Sequence, residues 1–84
     1  MYAVEFLPSA ARDFAALEAS VHRRIARRIN QMAADPRGGG AVKLRWAEDI
    51  WRARVGDYRV LYRIETDRLV VLVIKIAHRR DVYR

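Results

Sequence analysis

The chain has 84 residues, a length suited to one domain spanning 1–84 around one apolar core. Its 52% hydrophobic content excludes a disordered chain, and the absence of cysteine excludes disulfides and thiolate metal sites. The net charge is +7, and 15 of the 17 basic residues are Arg, so the expected partner is a polyanion or an acidic protein.

The charge is uneven: residues 43–84 hold 11 basic residues against 6 acidic ones. No apolar run reaches the ~18 residues of a membrane span, and the start shows no basic stretch leading into a long apolar one. The expectation is a cytoplasmic protein with no membrane partner and no small-molecule cofactor.

Residues 2–7 alternate as a first strand, Tyr2, Val4 and Phe6 against Ala3 and Glu5. Pro8 and Ser9 break it, and Ser9 is a candidate N-cap for a helix over about 10–18. Ser20 is a candidate cap for a second helix over about 21–34. There Val21, Ile25, Ile29, Met32 and Ala33 form one apolar stripe beside Arg23, Arg24, Arg27 and Arg28. So short a joint predicts an antiparallel helical hairpin. Asp35-Pro36 ends it, and Arg37-Gly38-Gly39-Gly40 connects onward.

Strand patterns follow. Residues 42–46 form a short one and 50–55 alternate. Gly56-Asp57 is a two-residue turn signal answered by 58–64. After a second turn at 65–68, residues 69–76 are nearly continuous in apolar character and read as a central strand covered on both faces. The tail is AHRRDVYR. The fold class is therefore α+β: an N-terminal strand and a helical hairpin packed on a small, mostly antiparallel twisted sheet, in the order β-α-α-β-β-β.

The turn fixes a register. With Gly56 and Asp57 as the loop, Val55 faces Tyr58, Arg54 faces Arg59, Ala53 faces Val60 and Trp51 faces Tyr62. One face then carries Trp51, Ala53, Val55, Tyr58, Val60 and Tyr62 and packs on the helices. The other carries Arg52, Arg54, Arg59, Leu61 and Arg63. Like charges opposed across strands are destabilising. The cluster makes sense if an anion sits among the guanidiniums. The same pattern also describes a solvated face whose Arg stems cover apolar surface. His78, Arg79, Arg80 and Tyr83 leave the last strand at one end of the sheet, and they bring fixed charge, a group that titrates near neutrality and a ring able to stack on a base.

Other chemistries lack support. Two His and scattered carboxylates show no metal-ligand spacing, and the triple Gly follows a helix instead of opening one.

The segment WRARVGDYRVLYR at 51–63, followed by an apolar strand and then HRRDVY at 78–83, resembles the RelE/ParE toxin superfamily, as does the element order over essentially the whole chain. The resemblance implies the toxin of a type II toxin–antitoxin pair. In RelE-like members the toxin enters the ribosomal A site and cuts mRNA without a metal, the ribose 2′-OH attacking the scissile phosphate. Carried over residue by residue, the catalytic positions are Arg52, Arg54, Arg59, Arg79 and Tyr83, and Lys43, Arg45, Arg63, His78 and Arg80 are the expected RNA contacts. Arg52 and Arg54 stand where RelE-type sites have Lys. Arg binds phosphate but is no general base at neutral pH, so proton transfer is left to His78, Tyr83 or the ribosome. The alternatives are a ParE-like poison of DNA gyrase and a non-catalytic module that only binds the antitoxin. The resemblance also implies a cognate antitoxin, and the charge of +7 calls for an acidic toxin-binding segment in it.

Overall fold

A computed structural model of the chain describes residues 1–45 and 49–82, with the backbone alone at Val82. The elements are β1 (Ala3–Phe6), α1 (Pro8–Ala15), α2 (Ala19–Ala34), β2 (Val42–Lys43), β3 (Ile50–Val55), β4 (Tyr58–Glu65), β5 (Val70–His78) and α3 (Arg79–Val82). The five strands form one sheet in the order β1-β5-β4-β3-β2. Only β1 runs parallel to its neighbour, β5. The α+β class and the mostly antiparallel sheet match the expectation. The short strand read at 42–46, which the expected order left uncounted, is β2 at Val42–Lys43; the single helical turn α3 was missed, being too short to show a period.

Both helices begin earlier than their Ser residues suggested. Pro8, with its preset φ and no N–H to satisfy, occupies the first turn of α1, and Leu7 is the N-cap. At α2 the Glu18 carboxylate caps, accepting from the Ser20 N–H at 3.0 Å. The Ser20 hydroxyl, which donates to the same carboxylate, and then the Ser20 N–H hold the Glu18 carboxyl below its ordinary value. Phe14 of α1 stacks on His22 of α2, ring centroids 4.0 Å apart, and joins the helices.

The stripe of α2 is buried as its spacing predicts: Ile25, Ile29 and Met32 pack with Ala53, Val60, Tyr62, Ile64, Val71, Val73 and Ile76 of the sheet, and Ala33 beside them is buried too. Tyr62 is fully buried and its hydroxyl donates to the Pro36 carbonyl at 2.6 Å, which pins the connector after α2 to the sheet.

The last strand differs from its reading in four ways. Leu69 takes a left-handed φ of 52°, so it belongs to the preceding turn and β5 starts at Val70. The strand also runs on to His78. Between them lies a bulge: Leu61 pairs with Lys75 and Tyr62 with Val73, leaving Ile74 without an opposite residue. Nor is β5 covered on both faces. The helices cover one, and on the other Leu72 is half-buried and Lys75 is exposed. The apolar run reads as continuous because the outer face also carries apolar residues, Val70, Leu72 and Ala77, beside Lys75. Among the described residues no helix is long and apolar enough to cross a membrane.

Candidate functional site

The β3–β4 turn generates the site. Gly56 has φ 57° and Asp57 does not share a positive φ, the pattern of a type II′ turn, whose twist matches that of the strands. The turn sets Val55 opposite Tyr58 and therefore Arg54 opposite Arg59. Every pair of the expected register is present, and Arg52, Arg54, Arg59 and Arg63 share the face turned away from the helices. Next to a two-residue turn, the second pair is the closer, non-hydrogen-bonded kind, with Cα atoms about 4.5 Å apart. Two guanidiniums are thus held side by side at the open end of the sheet.

The tail brings a third. The backbone N–H of Arg79 donates to the Asp57 carbonyl at 2.7 Å, and the Arg79 Nε lies 3.8 Å from Asp57 Oδ1. Arg54, Gly56, Asp57, Arg59 and Arg79 then line a cleft of about 140 Å³. Among the described residues that line the cleft, three carry guanidiniums and one a carboxylate, a lining whose donors suit an oxyanion.

Arg59 corrects one expectation. The outer face of the hairpin was expected to be exposed, yet Arg59 is only 7% exposed. It sits on β4, flanked by β3 and β5, opposite both Arg54 and Ala77. Arg54, by contrast, is exposed. One guanidinium is therefore built into the floor of the cleft and the other lies at its rim.

The remaining candidates divide. Arg52 is half-buried on the arginine face, two residues from Arg54, and does not line the cleft. Arg63 is exposed on the same face toward the other end of the hairpin, opposite Ile50 and Leu72. Arg45 is exposed beyond β2, and Arg80 is exposed on α3. Lys43 pairs with Trp51, which places it on the helix-side face, away from the arginines. Tyr83 lies outside the described residues, as do Trp46 and Glu48.

His78 also stands apart from the cleft. It pairs with Tyr58 on the helix-side face, its ring edge-on to the Tyr58 ring at 5.2 Å, and its Nδ1 accepts from the Arg80 N–H at 3.3 Å. The bulge is the cause. Counting by twos from the inward-facing Val71 would put His78 among the arginines. The extra residue Ile74 reverses the alternation, so Ile76 and His78 turn to the helices and Lys75 and Ala77 turn outward. The same reversal carries Arg79, the next residue in that outward series, to the cleft. Sequence reasoning missed the role of Asp57, whose carbonyl anchors the tail. Its only signal was its place in the turn. Among the described residues no three His, Asp or Glu side chains converge as a metal site would require.

The chain matches, over residues 4–83, the family model described as the ParE toxin of type II toxin–antitoxin systems, parDE. It is 30% identical over 84 residues to the toxin RelG of Mycobacterium tuberculosis (strain ATCC 25618 / H37Rv), covering 99% of this chain and 97% of that protein. Among solved structures it resembles the RelBE2 toxin–antitoxin complex of Mycobacterium tuberculosis, with 28% identity, a TM-score of 0.76, and 92% and 96% of the two chains covered. It also shares the fold of the intact Escherichia coli RelBE complex, with 22% identity, a TM-score of 0.85, and 93% and 96% covered.

Proposed function

We propose that this chain, which belongs to the RelE/ParE superfamily of type II toxins, halts translation by cutting mRNA in the ribosomal A site. The observation that carries the reading is the arginine cleft: Arg54 directly opposite Arg59, closed by Arg79 from the far end of the chain. Converging guanidiniums offer paired N–H donors in the geometry that phosphate oxygens accept.

The chemistry follows the family's reaction. The ribose 2′-oxygen bonds to phosphorus as the bond to the 5′-oxygen breaks, and the phosphorane gathers negative charge in between. Arg59, held almost out of water, and Arg54 and Arg79 beside it stabilise that charge without reorganising. Arg52 and Arg63, further along the same face, hold the flanking strand, and Arg45 and Arg80 contribute charge nearby. Tyr83 stacks on or orients the base 3′ to the cut. Lys43 and His78 face the helices, which argues against a part for either at the phosphate. Arginine does not act as a general base at neutral pH, so the proton leaving the 2′-OH goes to Tyr83 or to a ribosomal group, and a proton from such a group goes to the departing 5′-oxygen, leaving a 2′,3′-cyclic phosphate and a 5′-hydroxyl.

Membership in the superfamily brings a cognate antitoxin, and the excess of basic charge favours an acidic segment on it. The test is in vitro translation with primer extension on the mRNA. New 5′ ends at A-site codons support the reading, and uninterrupted translation removes it.

A second reading, a ParE-like gyrase poison, is favoured by the family model that matches and by a cleft with arginine but no lysine. Inhibition of gyrase supercoiling by the purified protein, with translation intact, would select it.

A further inference from the structure

We propose that Arg24 of α2 holds the phosphate next to the one in the cleft, so that the bound RNA strand runs from the arginine face over the Gly56 turn onto α2. The inference rests on the reading of the cleft as an RNA site and extends it to a residue that the family pattern does not assign.

Three observations carry it. The Arg24 guanidinium lies over the turn: its Nη2, Nη1 and Cζ are 2.9, 3.3 and 3.4 Å from where a Cβ on Gly56 would sit. Gly56 itself lines the cleft. It stands two residues from Arg54, about 7 Å along an extended strand, so the cleft and Arg24 are close enough to serve neighbouring groups of one strand. Arg24 therefore reaches around the end of the sheet from the helix side to the rim of a cleft whose other arginines come from the opposite face.

The charge of Arg24 is also uncommitted. Among the described residues the ion pairs are those of Arg68 with Glu5 and Glu65, and of Arg79 with Asp57. One helical turn on, Arg28 spends its guanidinium on the Gly38 and Gly39 carbonyls, 3.2 Å from each. Arg24 is exposed and shows no such bonds. A side chain on Gly56 would occupy the space that the guanidinium uses, so the glycine serves the turn and clears the path at once.

The test uses salt-dependent binding of single-stranded RNA that is 2′-O-methylated to prevent cleavage, as a dinucleotide whose one phosphate fills the cleft alone and as a decanucleotide that reaches α2. Each phosphate contact on a single strand contributes about 0.7 to the slope of log K against log salt. Arg24→Gln should lower the decanucleotide slope by about 0.7 and its affinity about fivefold at 0.1 M salt, and leave the dinucleotide unchanged. Arg24→Lys should restore the slope, and Arg12→Gln, an exposed arginine on α1, should leave it intact. An unchanged slope in Arg24→Gln overturns the proposal while the cleft reading stands. So does equal weakening of both oligonucleotides, because Arg24 would then act by shaping the turn. If the unmodified protein binds neither RNA with salt dependence, the RNA reading itself falls.

Discussion

The backbone N–H of Arg79 donates to the carbonyl of Asp57 across 2.7 Å, which ties the end of the last strand to a turn more than twenty residues earlier. That bond places Arg79 against Arg54 and Arg59. The side-chain pair of the same residues is wider, 3.8 Å, and exposed, so the backbone does the holding. Asp57→Asn should leave stability within about 0.5 kcal/mol of the parent. It should also strengthen RNA binding, because it removes a carboxylate from the lining of the cleft. Thermal unfolding and an RNA titration of the same variant check both halves.

Arg54 and Arg59 face each other but should behave differently when cut to Ala. Arg54 is exposed, so Arg54→Ala should change stability by no more than about 0.5 kcal/mol while lowering the cleavage rate about 10²- to 10³-fold. Arg59 is buried and its stem packs, so Arg59→Ala should lose activity and about 1–3 kcal/mol of stability as well. Urea unfolding beside a growth assay separates the two. Equal stability in both variants would contradict the burial.

Tyr62 should give the protein an alkaline limit. Burial raises its phenol above the ordinary value of 10.0, so the unfolded chain ionises first as pH rises. Its contribution to stability is complete below about pH 10 and is lost as pH climbs through the folded value. Tyr62→Phe should cost about 1 kcal/mol at neutral pH, since the Pro36 carbonyl loses its donor, and should flatten the decline in melting temperature at high pH. Tyr62→Ala should cost about 3–5 kcal/mol, enough to unfold a domain of this size.

Gly40 and Gly56 both hold left-handed φ values, 83° and 57°, and differ in their surroundings. A Cβ on Gly40 meets nothing within 4 Å, while one on Gly56 meets the mobile end of Arg24. Both Gly→Ala changes should therefore cost about 1 kcal/mol or somewhat more through backbone strain. Only Gly56→Ala should displace Arg24 and lower the salt slope of RNA binding. Matched unfolding and salt titrations would show whether the two costs separate.

Much of this arrangement is written in local pattern. The register that opposes Arg54 to Arg59 follows from a two-residue turn and a period of two, and neither needs tertiary information. The buried stripe Ile25, Ile29 and Met32 follows from a period of 3.6 in the same way. The grouping of Arg52, Arg54, Arg59 and Arg63 on one face was legible too, because it follows from the same register.

What local pattern could not decide is which side the chain's last residues take. His78 and Arg79 are neighbours, equally suited to a phosphate by type. The bulge at Ile74 sends one to the helices and the other to the cleft. A bulge is chosen by how two strands fit once they are packed, and one extra residue reverses every side chain after it. Burial of Arg59 and the reach of Arg24 over Gly56 have the same origin. Each depends on neighbours distant in sequence, which only the packed sheet and helices bring together.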